Sequence, residues 1–183
     1  MSRLPLLPAD KLTPRQKEVH DAIISGPRGQ VLGPLAVWLY SPDLADRAQK
    51  LGEYVRFNTA LEPRLSEMAI LVVGRHWDCQ FEWYAHEPIA ARQGLARSTI
   101  ESLRVGKRPE GMKPDEAAVF DFATEFFRTH KVSDKAYAAA RQAFGEKGVV
   151  DLIGILGYYS LAAITLNASE TLPPGEQPLK PLR

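Results

Sequence analysis

The densest set of reactive side chains lies in "HWDCQFEWYAH", residues 76–86, which holds the sole cysteine of the chain, two acids and two histidines. If Asp78 caps a helix, Cys79, Glu82 and His86 fall at i, i+3 and i+7 and share one face. A thiol, a carboxylate and an imidazole in one small volume suit acid-base or nucleophilic chemistry. In a first helical turn, unpaired backbone amides favour a thiolate at Cys79, and the charge of Glu82 opposes it. Twelve residues upstream, Glu67 stands in "SEMAILVVG". The unbroken apolar run 68–73 implies a helix buried nearly all round, so this carboxylate needs a donor inside the fold. On one straight helix Glu67 and Cys79 would stand about 18 Å apart. A turn over residues 74–78, with Gly74 as the break, would fold the two segments into a hairpin and bring Glu67 to the His86 face.

The elements that must hold this hairpin are helices. Apolar residues recur at threes and fours, no sustained alternation appears, and strands should be few or absent. Thr13-Pro14 opens a helix to about Ser25, and Gly26-Pro27-Arg28-Gly29 ends it. A short apolar segment follows at 35–40. Ser41-Pro42-Asp43 starts a helix to about Asn58, and Glu62-Pro63 one to about Gly74. Ser98-Thr99-Ile100-Glu101 reads as a capping box for a short helix ended by Gly106. Lys113-Pro114 begins a helix to about Thr129, Ser133-Asp134 another ended by Gly145, and a last one fills 149–168. Gly154 and Gly157 are expected to be packing sites on it. The first dozen residues and the proline-rich tail 171–183 should be extended or loosely packed, either as arms that wrap a neighbouring subunit or as disordered ends.

The whole chain of 183 residues fits a single all-α domain, 1–183, with an ordinary 45% hydrophobic and 25% charged composition. A formal net charge of +1 with interspersed signs argues against nucleic acid and for a small-molecule substrate. One cysteine excludes an internal disulfide and fits the cytoplasm. The N-terminus has no secretory pattern, and the apolar stretch 149–166 carries Asp151, so it reads as a core or interface helix rather than a membrane span. No phosphate loop, dinucleotide fingerprint or nucleophile elbow appears. His76 and His86 match no zinc spacing, so neither a metal nor an organic cofactor is expected.

The pattern Glu-x11-Cys-x2-[Cys]-x3-His resembles the carboxymuconolactone decarboxylase and alkylhydroperoxidase-D-like superfamily. Here it reads Glu67, Cys79, Glu82 and His86, with Glu82 in the place of the second cysteine. The run "RLSEMAILVVGRHWDCQFEWYAHEPIAARQGL" looks like the decarboxylase-type branch. The resemblance implies an all-α fold with a central helical hairpin and association as trimers or hexamers. It also implies acid-base loss of CO2 from a small carboxylated lactone or ring acid. His86 would protonate the carbanion-like centre, and Glu82 or Glu67 would hold its tautomer. Arg75 and Arg92 are expected to bind the substrate carboxylate, with Trp83 in the substrate-binding wall. Cys79 lines the pocket in this reading. Two rivals stand beside it: a one-cysteine thiol peroxidase using an external reductant, because a dithiol cycle cannot close on Cys79 alone, and a non-catalytic scaffold or binding protein.

Overall fold

A computed structural model describes residues 2–175 and 179–180. Among them lie eight α-helices and no strand: α1 Pro14–Ser25, α2 Pro34–Trp38, α3 Pro42–Phe57, α4 Pro63–His76, α5 Gln80–Arg92, α6 Arg97–Arg104, α7 Pro114–Thr129 and α8 Asp134–Ala168. Proline occupies the first helical position of five of these, α1, α2, α3, α4 and α7, where its missing N–H costs nothing. Thr13 closes a full capping box with Gln16 ahead of α1.

The all-helical expectation therefore holds, with corrections at particular joints. The box expected at Ser98 to Glu101 does not form; α6 starts at Arg97, with the cap position at Ala96 two residues earlier and no side-chain cap. The stop expected at Gly145 is present: φ 67° and ψ −179° leave the helical region there, so α8 is two helical segments joined across a kink. Gly154 meets Val55 across α3, whereas Gly157 has no neighbour among the described residues in the direction of a Cβ.

One apolar core draws on all eight helices. α4 is its axis, with twelve of its fourteen residues buried, and it packs against α5, α7 and α8. Arg64, at the start of α4, is nearly buried and is clamped by Asp115 and Glu116 at the start of α7. α8 is the one described helix long and apolar enough to cross a membrane, yet 56% of that window is buried in the protein.

The arms lie against their own chain. Arg3 N–H donates to Ser169 O at 2.8 Å, and Tyr40 Oη donates to Pro5 O at 2.7 Å. In the tail, the Gln80 side chain brackets Leu179, donating to its carbonyl and accepting from its N–H at 2.8 Å each. The expected extended tail otherwise falls partly outside the described residues, at 176–178 and 181–183.

Candidate active site

The turn that creates the site lies at residues 77–79, later than expected. α4 runs on through Gly74 to His76 and stops in a Schellman motif. Cys79 N–H donates to Gly74 O at 2.8 Å and Asp78 N–H to Arg75 O at 3.2 Å. Asp78 takes the left-handed position, φ 47°, normally given to glycine, and its carboxylate pairs with Arg75. Asp78 is thus the C-terminal turn residue of α4, not the cap of α5. That position belongs to Cys79.

This one-residue shift separates the thiol from the acid-base pair. Cys79 lies just outside α5, fully buried in a small cluster with Ala163 and Leu166, against Trp77 and Phe81. Burial pushes the thiol up to about 12, with the Glu82 charge adding to it; the amides of Glu82 and Phe81 pull the other way and lose. The expectation that Cys79 lines the pocket does not hold.

Glu82 and His86 remain one helical turn apart on α5 and face α4, as expected. His86 Nδ1–H donates to Glu67 Oε2 at 2.7 Å, so the hairpin does bring the two together. His86 Nε2 lies 3.5 Å from Glu82 Oε2. All three side chains are about 95% buried. Tyr159 stands edge-on to the His86 ring, with centroids 5.1 Å apart. The Glu82 carboxyl is raised above its usual range, chiefly because burial penalises its charge, while His86, Arg56 and Arg28 pull it down. Burying two carboxylates and an imidazole costs folding free energy. A buried acid-base set of this kind, perturbed by desolvation and by charged partners, is a candidate working site.

Glu82 and His86 open onto a cavity of about 280 Å³ between α2, α5 and α8. Its wall includes Leu35, Phe81, Ile89 and Tyr158, and also Arg28 and Arg56. Glu67 sits behind His86, out of the lining, where it holds the Nδ1 side of the ring and leaves Nε2 toward the cavity. A glycine shapes this wall: Gly33 has φ 58°, and a Cβ there would come within 2.7 Å of the Phe81 ring. Burial pushes Tyr158 up to about 12 and Tyr159 well above the ordinary range, so both remain neutral hydroxyls. A larger cavity of about 670 Å³, lined by Phe122, Phe126, Tyr137 and Ile153, contains no buried acid-base pair. Size alone therefore does not locate the chemistry.

The three expected substrate-binding residues lie elsewhere. Arg75 is buried on the far side of the turn, where Nη1 donates to Arg104 O at 2.9 Å and Lys180 O at 3.0 Å. Arg92 is exposed at the end of α5. Trp83 is a core residue, fully buried, with its Nε1–H donating to Glu87 at 3.0 Å and the Arg104 guanidinium over its ring. Helical phase explains Trp83, since one residue past Glu82 is 100° around the helix. The residues missed are Arg28, in the Gly-Pro-Arg-Gly turn read only as a helix stop, and Arg56, in the last turn of α3. Their sole signal was positive charge, which many surface residues share.

Fold and site together define an all-α protein with a buried glutamate-histidine-glutamate set in a helical hairpin. No family model matches the chain, and no curated protein does. Among solved structures it is similar to an uncharacterized peroxidase-related protein from Silicibacter sp. TM1040, with a TM-score of 0.75 at 17% identity. The likeness covers 96% of this chain and 93% of that one. At that identity it speaks for the fold alone.

Proposed function

We propose that the protein is an acid-base enzyme of the carboxymuconolactone decarboxylase type, acting on a small carboxylated lactone or ring acid. The observation that carries this reading is the buried Glu67–His86–Glu82 set opening onto a cavity of about 280 Å³. That volume lies just below the usual range for ligand pockets and suits a small ring. The bond to the departing carboxylate breaks, and its electron pair enters the conjugated ring. CO2 leaves, and a proton from His86 Nε2 is added to carbon. Glu67 stabilises the imidazolium before transfer, and Glu82, which burial shifts toward its neutral form, is the neighbouring group that exchanges the proton with His86. The test is CO2 release from γ-carboxymuconolactone and related acids. Turnover that is lost in His86→Ala supports the reading; no turnover of any such acid, with no effect of His86→Ala, refutes it.

The second reading, a thiol peroxidase with Cys79 oxidised to a sulfenic acid and restored by an external thiol, is favoured by the likeness to a peroxidase-related protein. The raised, cavity-excluded thiol opposes it. Peroxide turnover with a thiol donor that vanishes in Cys79→Ser would establish it over the first. A non-catalytic scaffold would be favoured by a wide gap between Glu67 and His86, whereas the separation is 2.7 Å.

We also infer a homo-oligomer, trimeric or hexameric, working in the cytoplasm. Val150, Ile153, Leu161 and Ile164 form an exposed apolar stripe along α8, between 38% and 66% accessible, of a kind that a second copy would cover. Light scattering on the purified protein tests it, and a monomer at micromolar concentration refutes it.

A further inference from the structure

We propose that Arg28 and Arg56 form a carboxylate-binding subsite in the His86 cavity, gripping the substrate's acid group while the ring lies against the imidazole. This rests on the acid-base reading above and names its anchor.

The two guanidiniums line one cavity, and among the described residues the sole acid in that lining is Glu82. Neither makes an ion pair among the described residues. Arg28 donates from Nη2 to Tyr158 Oη at 3.4 Å, and its Nε, shut off from solvent, has no hydrogen-bond partner. Arg56 rests over the Phe57 ring at 5.2 Å. The other inward-facing arginines differ: Arg64, Arg75 and Arg104 each hold a carboxylate. A half-buried guanidinium without a counter-ion loses hydration, and one long hydroxyl contact or one ring face returns only part of it, so this couple suits an anion that arrives from outside.

The backbone makes room for this couple. A Cβ on Gly52 would overlap Tyr158 Oη and approach Arg28 Nη2 to 2.5 Å, so glycine is what lets α3 pass beneath both groups. Both arginines also act electrostatically on Glu82, which places their charge within reach of the acid-base pair. With two guanidiniums against one acid among the described lining residues, the cavity is net positive even where Glu82 is ionised. A guanidinium fork matches the two oxygens of a carboxylate, and the neutral Tyr158 hydroxyl adds a third donor.

The probe is 2-furoate against its uncharged analogue 2-furamide, followed by calorimetric titration and thermal shift. The wild-type protein should bind and be stabilised by 2-furoate and not by 2-furamide. Arg28→Gln and Arg56→Gln should each weaken 2-furoate binding about tenfold or more. Equal binding of the two probes, no binding of 2-furoate, or wild-type affinity in both glutamine variants would overturn the subsite. If a glutamine variant fails to fold, Arg28→Lys and Arg56→Lys keep the charge and lose the fork, and the probe comparison on unaltered protein still decides. The two proposals fail separately. Furoate binding without release of CO2 from any acid sinks the reaction and keeps the subsite. CO2 release with unchanged KM in both glutamine variants sinks the subsite and keeps the reaction.

Discussion

Replacing Glu82 with glutamine should stabilise the protein, by an amount that grows with pH. The carboxyl is about 95% buried, 3.5 Å from His86 Nε2, and close enough to Glu67 to feel its charge. Burial raises it above its ordinary 4.5, so folding favours the protonated form. The stabilisation that goes with the bound proton is fully present below pH 4.5 and is lost as pH rises through the raised value. Within that window one extra proton is held by the folded state, so stability falls by at most about 1.4 kcal/mol per pH unit. For a chain of this length, 1 kcal/mol corresponds to about 2–4 °C in Tm. Glutamine has no proton to lose, and the Tm gap between variant and wild type should therefore widen by up to about 3–6 °C per pH unit above 4.5, then level off. Calorimetry of both proteins from pH 4.5 to 8.5 measures it. Parallel curves, or a variant that loses ground as pH rises, would mean that Arg28, Arg56 and His86 hold Glu82 ionised. The neutral-acid role assigned to it would then be wrong. The same variant should lose turnover, so stability and activity should move in opposite directions.

Glu67→Gln removes the carboxylate that accepts the His86 Nδ1 proton, and turnover should fall by about 10²–10⁴ with little change in KM; unaltered kcat would show that the His86 tautomer is set by something else. Native Cys79 should resist iodoacetamide at pH 8, where roughly one thiol in ten thousand is ionised for a group near 12; full labelling within minutes in the folded protein would contradict its burial. Gly52→Ala overpacks the α3–α8 contact and should cost about 1–3 kcal/mol in urea denaturation, since the Tyr158 ring cannot yield as the tip of Arg28 can. A neutral result would mean that Tyr158 has another place to go.

Helix existence was legible along nearly the whole chain because it depends on short-range signals. Proline at a first turn, a capping threonine and apolar residues at threes and fours act within one or two turns, and α1, α3, α4 and α7 begin where those signals stand. The Glu67–His86 meeting was legible for a related reason: a carboxylate on an otherwise apolar helix demands a donor, and the hairpin offers one. The local failure that mattered for the site was a shift of one residue. Asp78 looked like a cap and became the left-handed end of the preceding helix, and this turned Cys79 out of the cavity.

The cavity itself belongs to tertiary structure. Arg28, Arg56 and Tyr158 come from a turn and two helices far apart in the chain, and nothing in their own neighbourhoods distinguishes them from surface residues. The same holds for Arg75, whose partners Arg104 and Lys180 lie 29 and 105 residues away. Local sequence determines which backbone dihedrals are cheap, and so where helices run and which faces are apolar. Which polar group each buried charge meets depends on how those faces stack, an outcome of the packing of the whole core that no single stretch of residues encodes.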